Sequence, residues 1–176
     1  MYMKKVILFL IGCACSIVSA QPPFEVLRTC VDNKPYNSSI NIVSLEDEGM
    51  AEENKPNCED EFDLKYNDHK YGLVTCQGTF YFIINNKKIK LKEAVNMSIN
   101  PEIKPGNRLT NRSTWTKIDL DGHPYLCVED SLSDSGVGAA HSQYYIIEKA
   151  FDATLTPESY FYFFDKNIAP MTSKTL

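Results

Sequence analysis

"YGLVTCQGTFYFIINNKKIKLK", Tyr71 to Lys92, decides the fold class. The stretch is dense in aromatic and β-branched residues, which suit a pleated and half-buried surface. Asn85-Asn86 breaks it as a tight-turn pair, and "KKIKLK" then alternates lysine with isoleucine and leucine. With a side-chain period of two, Ile89 and Leu91 fall on one face of a strand and Lys88, Lys90 and Lys92 on the other. Lysine-bearing strands guard sheet edges against unwanted pairing, so this strand is expected at an edge.

Moving outward, "STWTKIDLDGHPYLCVED" (113–130) reads as a second hairpin turning at Asp121-Gly122, a pair that supplies the positive φ angles of a two-residue turn. The spacing of Asp119 and Asp121 resembles part of a calcium loop, whose remaining ligand positions are absent. "HSQYYIIEKAF" (141–151) reads as a strand, although Ala140, Tyr144, Ile147 and Phe151 would also line one face of a helix. "SYFYFFD" (159–165) is a strand whose unbroken aromatics imply burial on both faces or a partly exposed aromatic surface. "FEVLRTC" (24–30) and "INIVS" (40–44) read as two short extended segments around the turn-rich "DNKPYNSS", and a short helix is expected near "KEAVNM" (92–97). Together these predict a mainly β chain with minor helix, an antiparallel sandwich or partly open barrel.

The first twenty residues read as a signal peptide. Lys4 and Lys5 precede the uncharged run Val6 to Ile17, and Val18-Ser19-Ala20 supplies small residues before Gln21. The run is short for a bilayer span, which needs about 20 apolar residues. Residues 21–176 are therefore expected to be a single secreted β-rich domain, periplasmic or released. An alternative is lipid anchoring at Cys13, because Leu10-Ile11-Gly12-Cys13 matches a lipobox. Losing Lys4 and Lys5 leaves 16 basic against 23 acidic side chains, a formal charge of −7. Such acidity argues against a nucleic-acid partner, whose phosphates require cations, and suits a basic protein partner.

Four cysteines would remain after cleavage: Cys30, Cys58, Cys76 and Cys127. In an oxidising compartment they imply two disulfides, with three connectivities possible. The expected pairing is Cys30 with Cys58, tying down the amino-terminal part, and Cys76 with Cys127, joining "LVTC" to "YLCV" as neighbouring core strands. No pair has the short spacing of a structural zinc site, and neither His69 with Asp68 nor His123 has partner ligands at metal-binding spacing. Neither metal nor cofactor is expected.

Two stretches stand out as candidate contact surfaces. Glu46, Asp47, Glu48, Glu52, Glu53, Glu59, Asp60 and Glu61 form an acidic patch opposed by Lys55 alone, which reads as a solvated loop. "SDSGVGAAHSQYY" (133–145) gathers Ser133, Asp134, Ser135, Gly136, Gly138 and His141 ahead of an aromatic run. A Ser135, His141 and carboxylate set can be drawn from it, so a small secreted hydrolase is one reading. No G-x-S-x-G, S-x-x-K or H-E-x-x-H motif supports catalysis. As an ordinary turn, Asp134 and Ser135 would bond the backbone, while Gly136 and Gly138 supply permissive dihedrals.

The "SGVGAAHSQY" segment also resembles the serine-glycine loop that bacterial periplasmic lysozyme inhibitors insert into the lysozyme cleft. Ser135 and Gly136 match its pair, but the next tyrosine, Tyr144, lies farther along than in those families. The likeness is confined to this loop and assigns no family. It does imply a protein contact. The reading that follows is an exported, non-enzymatic binding domain of inhibitor or immunity type, contacting a basic enzyme or toxin through Glu46, Asp47, Glu48, Glu52, Glu53, Asp134, Ser135, Gly136 and His141. A self-associating envelope protein, joined through the aromatic carboxy-terminal strand, is the remaining alternative.

Overall fold

The computed structural model describes residues 21–49, 57–110 and 112–168. In chain order they form helix α1 (Phe24–Asp32) and strands β1 (Ile40–Ser44), β2 (Glu46–Gly49), β3 (Cys58–Tyr66), β4 (His69–Cys76), β5 (Thr79–Ile84) and β6 (Lys87–Lys90). A single 3-10 turn (Leu91–Glu93) leads to β7 (Val95–Asn96), β8 (Thr114–Leu120), β9 (His123–Ser131), β10 (Ser142–Glu148) and β11 (Glu158–Tyr162). A second 3-10 turn, Val137–Ala140, lies between β9 and β10.

The strands build two stacked sheets without a closed barrel. One holds β2-β3-β4-β5-β6 as an antiparallel meander; the other has the order β1-β8-β9-β10-β11-β7, with β7 alone parallel to its neighbour. Asn85 and Asn86 take left-handed φ values of 51° and 65° at the β5–β6 turn, and Asp121 and Gly122 take 50° and 83° at the β8–β9 turn. Those angles match the twist of a hairpin, so the turn chemistry sets both registers. As expected from its lysines, β6 is an edge strand.

Between the sheets, Phe62, Leu73 and Phe82 of the meander meet Trp115, Tyr145 and Phe161 of the larger sheet. The Phe82 ring stands edge-on to both Trp115 and Tyr145, with centroids 5.7 and 5.0 Å away. Each such buried side chain contributes about 1.5–3 kcal/mol through removal from water. The larger sheet is covered on its other face too, where Val26 and Cys30 of α1 pack over Ile118, Ile146, Tyr160 and Tyr162. Burial on both faces explains the unbroken apolar runs of β10 and β11. β11 pairs with β10 on one side and, over Tyr160 and Phe161, with β7 on the other.

Three expectations require correction. Residues 24–30 are helical: Val26, Thr29 and Cys30 are buried at helical spacing, Pro23 precedes the first turn, and Asn33 ends the helix at φ 48°. Covering one face of the larger sheet favours that one-sided stripe over the local β propensity of the segment. The disulfides join Cys30 to Cys127 and Cys58 to Cys76. The two apolar stretches expected to be neighbours lie in different sheets, β4 in one and β9 in the other, whereas α1 lies directly over β9. Near "KEAVNM" there is only the 3-10 turn, after which Val95 and Asn96 extend the larger sheet.

Candidate functional site

The loop joining β9 to β10 extends their ladder beyond its last pair, Ser131 opposite Ser142. Leu132 N–H donates to the His141 carbonyl at 2.8 Å, which closes the loop's base. Inside it, the Ser133 hydroxyl donates to the Ser135 carbonyl at 2.7 Å. Gly136 sits at φ 71°, ψ −155°, a region essentially confined to glycine. From there the chain makes one tight turn, with Ala139 and His141 N–H groups donating to the Gly136 and Gly138 carbonyls at 3.2 Å each. Gly138 is buried, and a Cβ there would stand 2.5 Å from Ser133 Oγ. The result is a braced protrusion with Val137 at its tip, 68% exposed.

Beside the protrusion is an open cleft of about 590 Å³, lined by Thr110, Arg112, Thr114, Glu129, Asp134 and Ser142 among others. Its floor is held by Asp130, which is buried and accepts from the Thr110 amide, from the Thr110 hydroxyl at 3.0 Å and from the Ser131 amide at 2.7 Å. Glu129 accepts from the Ser142 hydroxyl at 3.0 Å. Burial, assisted by the charges of Glu129 and Asp32, pushes the Tyr144 phenol above its ordinary value, so that side chain stays neutral next to the acids. Asp134 and Ser142 come from the loop or its end, whereas Thr110, Glu129 and Asp130 were not singled out from the sequence. The twenty-residue separation of Thr110 from Asp130 conceals their contact.

Of the catalytic set that can be drawn on paper, the structure joins the histidine to a carboxylate but not to the serine. His141 turns toward Phe163 and places Nδ1 3.3 Å from Asp165 Oδ2, a pair that is ionic when the imidazole carries a proton. The exposed Ser135 contributes its carbonyl to the loop's bracing, and its hydroxyl makes no hydrogen bond to His141. Serine activation requires that bond and an oxyanion-binding pair of N–H groups nearby. Asp165, the actual partner of His141, has no signal in the sequence that ties it to the loop.

The two ends of the acidic patch are strand and not loop: Glu46–Gly49 is an edge strand paired with the interior strand Cys58–Tyr66, with Glu46 opposite Lys65 and Asp47 opposite Leu64. The side chains of Glu46, Asp47 and Glu48, and all of Glu52 and Glu53, lie outside the described residues. Residues 1–20, on which the expected signal peptide and the alternative lipid anchor at Cys13 fall, lie outside them as well.

At the far end of the larger sheet, His123, Tyr125, Glu148, Lys149, Phe151 and Leu155 border a second open cleft of about 540 Å³. Burial first, and then the neighbouring Glu158 charge, raise the Glu148 carboxyl above the usual range, against the opposing influence of Lys149. Among the described residues no three histidine, cysteine, aspartate or glutamate side chains gather as a metal site, and no helix is long and apolar enough to cross a membrane. Searches of protein-family models, curated proteins and solved structures return no match to this chain.

Proposed function

We propose that this chain is an exported, non-enzymatic protein-binding domain of the inhibitor or immunity type, whose contact element is the β9–β10 protrusion and the acidic cleft beside it. The observation that carries this reading is the braced loop with Val137 exposed at its tip. An apolar side chain so exposed, on a backbone already fixed by its own hydrogen bonds, loses little ordering entropy on association. Glu129, Asp130 and Asp134 outnumber Arg112 in the cleft next to it and favour a partner with basic side chains around an apolar socket, in keeping with the formal charge of −5 for the whole chain. The two disulfides suit an oxidising compartment such as the periplasm or the exterior.

The test uses the mature chain and a Val137→Asp variant, each immobilised and exposed to lysates of its own and competing cells. A stoichiometric basic protein retained by the wild type and lost by the variant, with thermal unfolding of the variant unchanged, supports the reading. Equal retention by both removes the protrusion from the interface. Absence of any retained protein, together with turnover of ester or peptide substrates, replaces the reading with an enzymatic one.

A further inference from the structure

The two disulfides occupy opposite environments. Cys30–Cys127 lies beneath α1, each cysteine 3% exposed. Cys58–Cys76 joins directly opposed positions on β3 and β4, and both of its cysteines are half-buried. It also has a cation beside it: Lys88 of β6 places Nζ 3.3 Å from Cys58 Sγ and 3.2 Å from Cys76 Sγ. The same ammonium lies 5.9 Å from the Tyr81 ring centroid, so the side chain spans β5 to reach the sulfurs. Edge protection alone accounts for a lysine on β6, but not for an ammonium directed at both sulfur atoms.

We propose that Cys58–Cys76 is a reactive site for dithiol reductants, opened by thiol–disulfide exchange with Lys88 stabilising the thiolate that leaves, while Cys30–Cys127 remains closed. A reductant thiolate attacks one Sγ, the Sγ–Sγ bond breaks, and its electron pair departs on the other cysteine beside Lys88. The mixed disulfide is then attacked by the reductant's second thiolate, which forms the oxidised cyclic disulfide and expels the remaining cysteine. Both cysteine thiolates take up protons from water. The protein gains two electrons and two protons, and the dithiol loses the same. Exchange is faster when the leaving sulfur is the better anion and when the disulfide is accessible, and the Cys58–Cys76 site meets both conditions.

The position gives the step a consequence. Pairing of β3 with β4 shifts register between Asp60 and Phe62, so Cys58 to Asp60 form a short terminal piece of ladder beyond a bulge. The disulfide clamps that piece, and opening it frees the start of β3 next to the acidic stretch.

Folded protein is exposed to limiting dithiothreitol, quenched with N-ethylmaleimide at intervals, and peptide-mapped. Cys58 and Cys76 should be alkylated about tenfold or more faster than Cys30 and Cys127, whose opening requires local unfolding. Lys88→Met should slow the fast pair by about three- to tenfold, and Lys88→Arg should retain most of the rate. Equal rates for the two disulfides, or a Lys88→Met variant as fast as wild type, overturn the proposal. If Lys88→Met loses its near-ultraviolet circular dichroism, the wild type decides instead: its fast rate should fall as sodium chloride screens the ammonium, and a salt-independent rate refutes the role of Lys88.

Discussion

Replacing Gly136 by alanine isolates the backbone requirement of the protrusion. A Cβ at this position meets nothing within 4 Å, so the substitution creates no clash. The whole cost comes from φ 71°, ψ −155°, which carries about 1–3 kcal/mol for a residue with a side chain. The loop can relax only by giving up its bracing: the Leu132–His141 closure, the Ser133–Ser135 bond and the Ala139–Gly136 turn bond. At about 1 kcal/mol net for each hydrogen bond, relaxation costs as much as the strain. Gly136→Ala should therefore lower stability by about 2 kcal/mol, or about 4–8 °C in Tm for a chain of this size. Urea unfolding followed by tryptophan fluorescence measures it, since Trp115 is buried between the sheets. A midpoint within error of wild type would refute the claim that the loop is held in one braced conformation.

Other perturbations probe the frame that presents the loop. Gly72→Ala should destabilise by more than about 3 kcal/mol in the same assay, because its Cβ would stand 2.3 Å from the Phe62 carbonyl oxygen and its φ is 149°. Tyr145→Phe should cost about 1–2 kcal/mol by urea unfolding, since the buried phenol oxygen accepts from the Gly106 amide at 3.0 Å and phenylalanine leaves that donor unpaired. Glu148→Gln tests the second cleft through pH. With the folded carboxyl titrating above the unfolded one, its favourable contribution is complete below the ordinary carboxylate range and is lost as pH rises through the raised value. Scanning calorimetry should find the Gln variant equal to wild type near pH 3 and higher in Tm at neutral pH; an equal Tm at both would refute the shift.

The meander from β4 to β6 was legible because three signals agree there: period-two alternation, turn residues that accept positive φ, and lysines where an edge needs them. Helix α1 was not, because Phe24, Val26 and Val31 favour strands locally and only the burial of Val26, Thr29 and Cys30 on a sheet far along the chain selects the helix. The same distance hid the disulfides, since Cys30 faces β9 only once the helix crosses it. Gly136 and Gly138 marked a loop correctly. The cleft beside it depends on Thr110 and Asp130 meeting, which local sequence does not encode.

The Cys30–Cys127 bond spans 97 residues of sequence, against 18 for Cys58–Cys76. In the chain-entropy account the longer closure removes more freedom from the unfolded state, about 4.7 kcal/mol for a loop near 100 residues against about 3 for one near 15. The order in which the two pairs are completed along the chain runs the other way. Cys58 and Cys76 lie 18 residues apart, whereas the partner of Cys30 is not made until β9. The first cysteine that follows Cys30 in sequence is Cys58, which is not its partner. Closing Cys58 with Cys76 first would remove this competitor, and the weaker clamp would then favour formation of the stronger one.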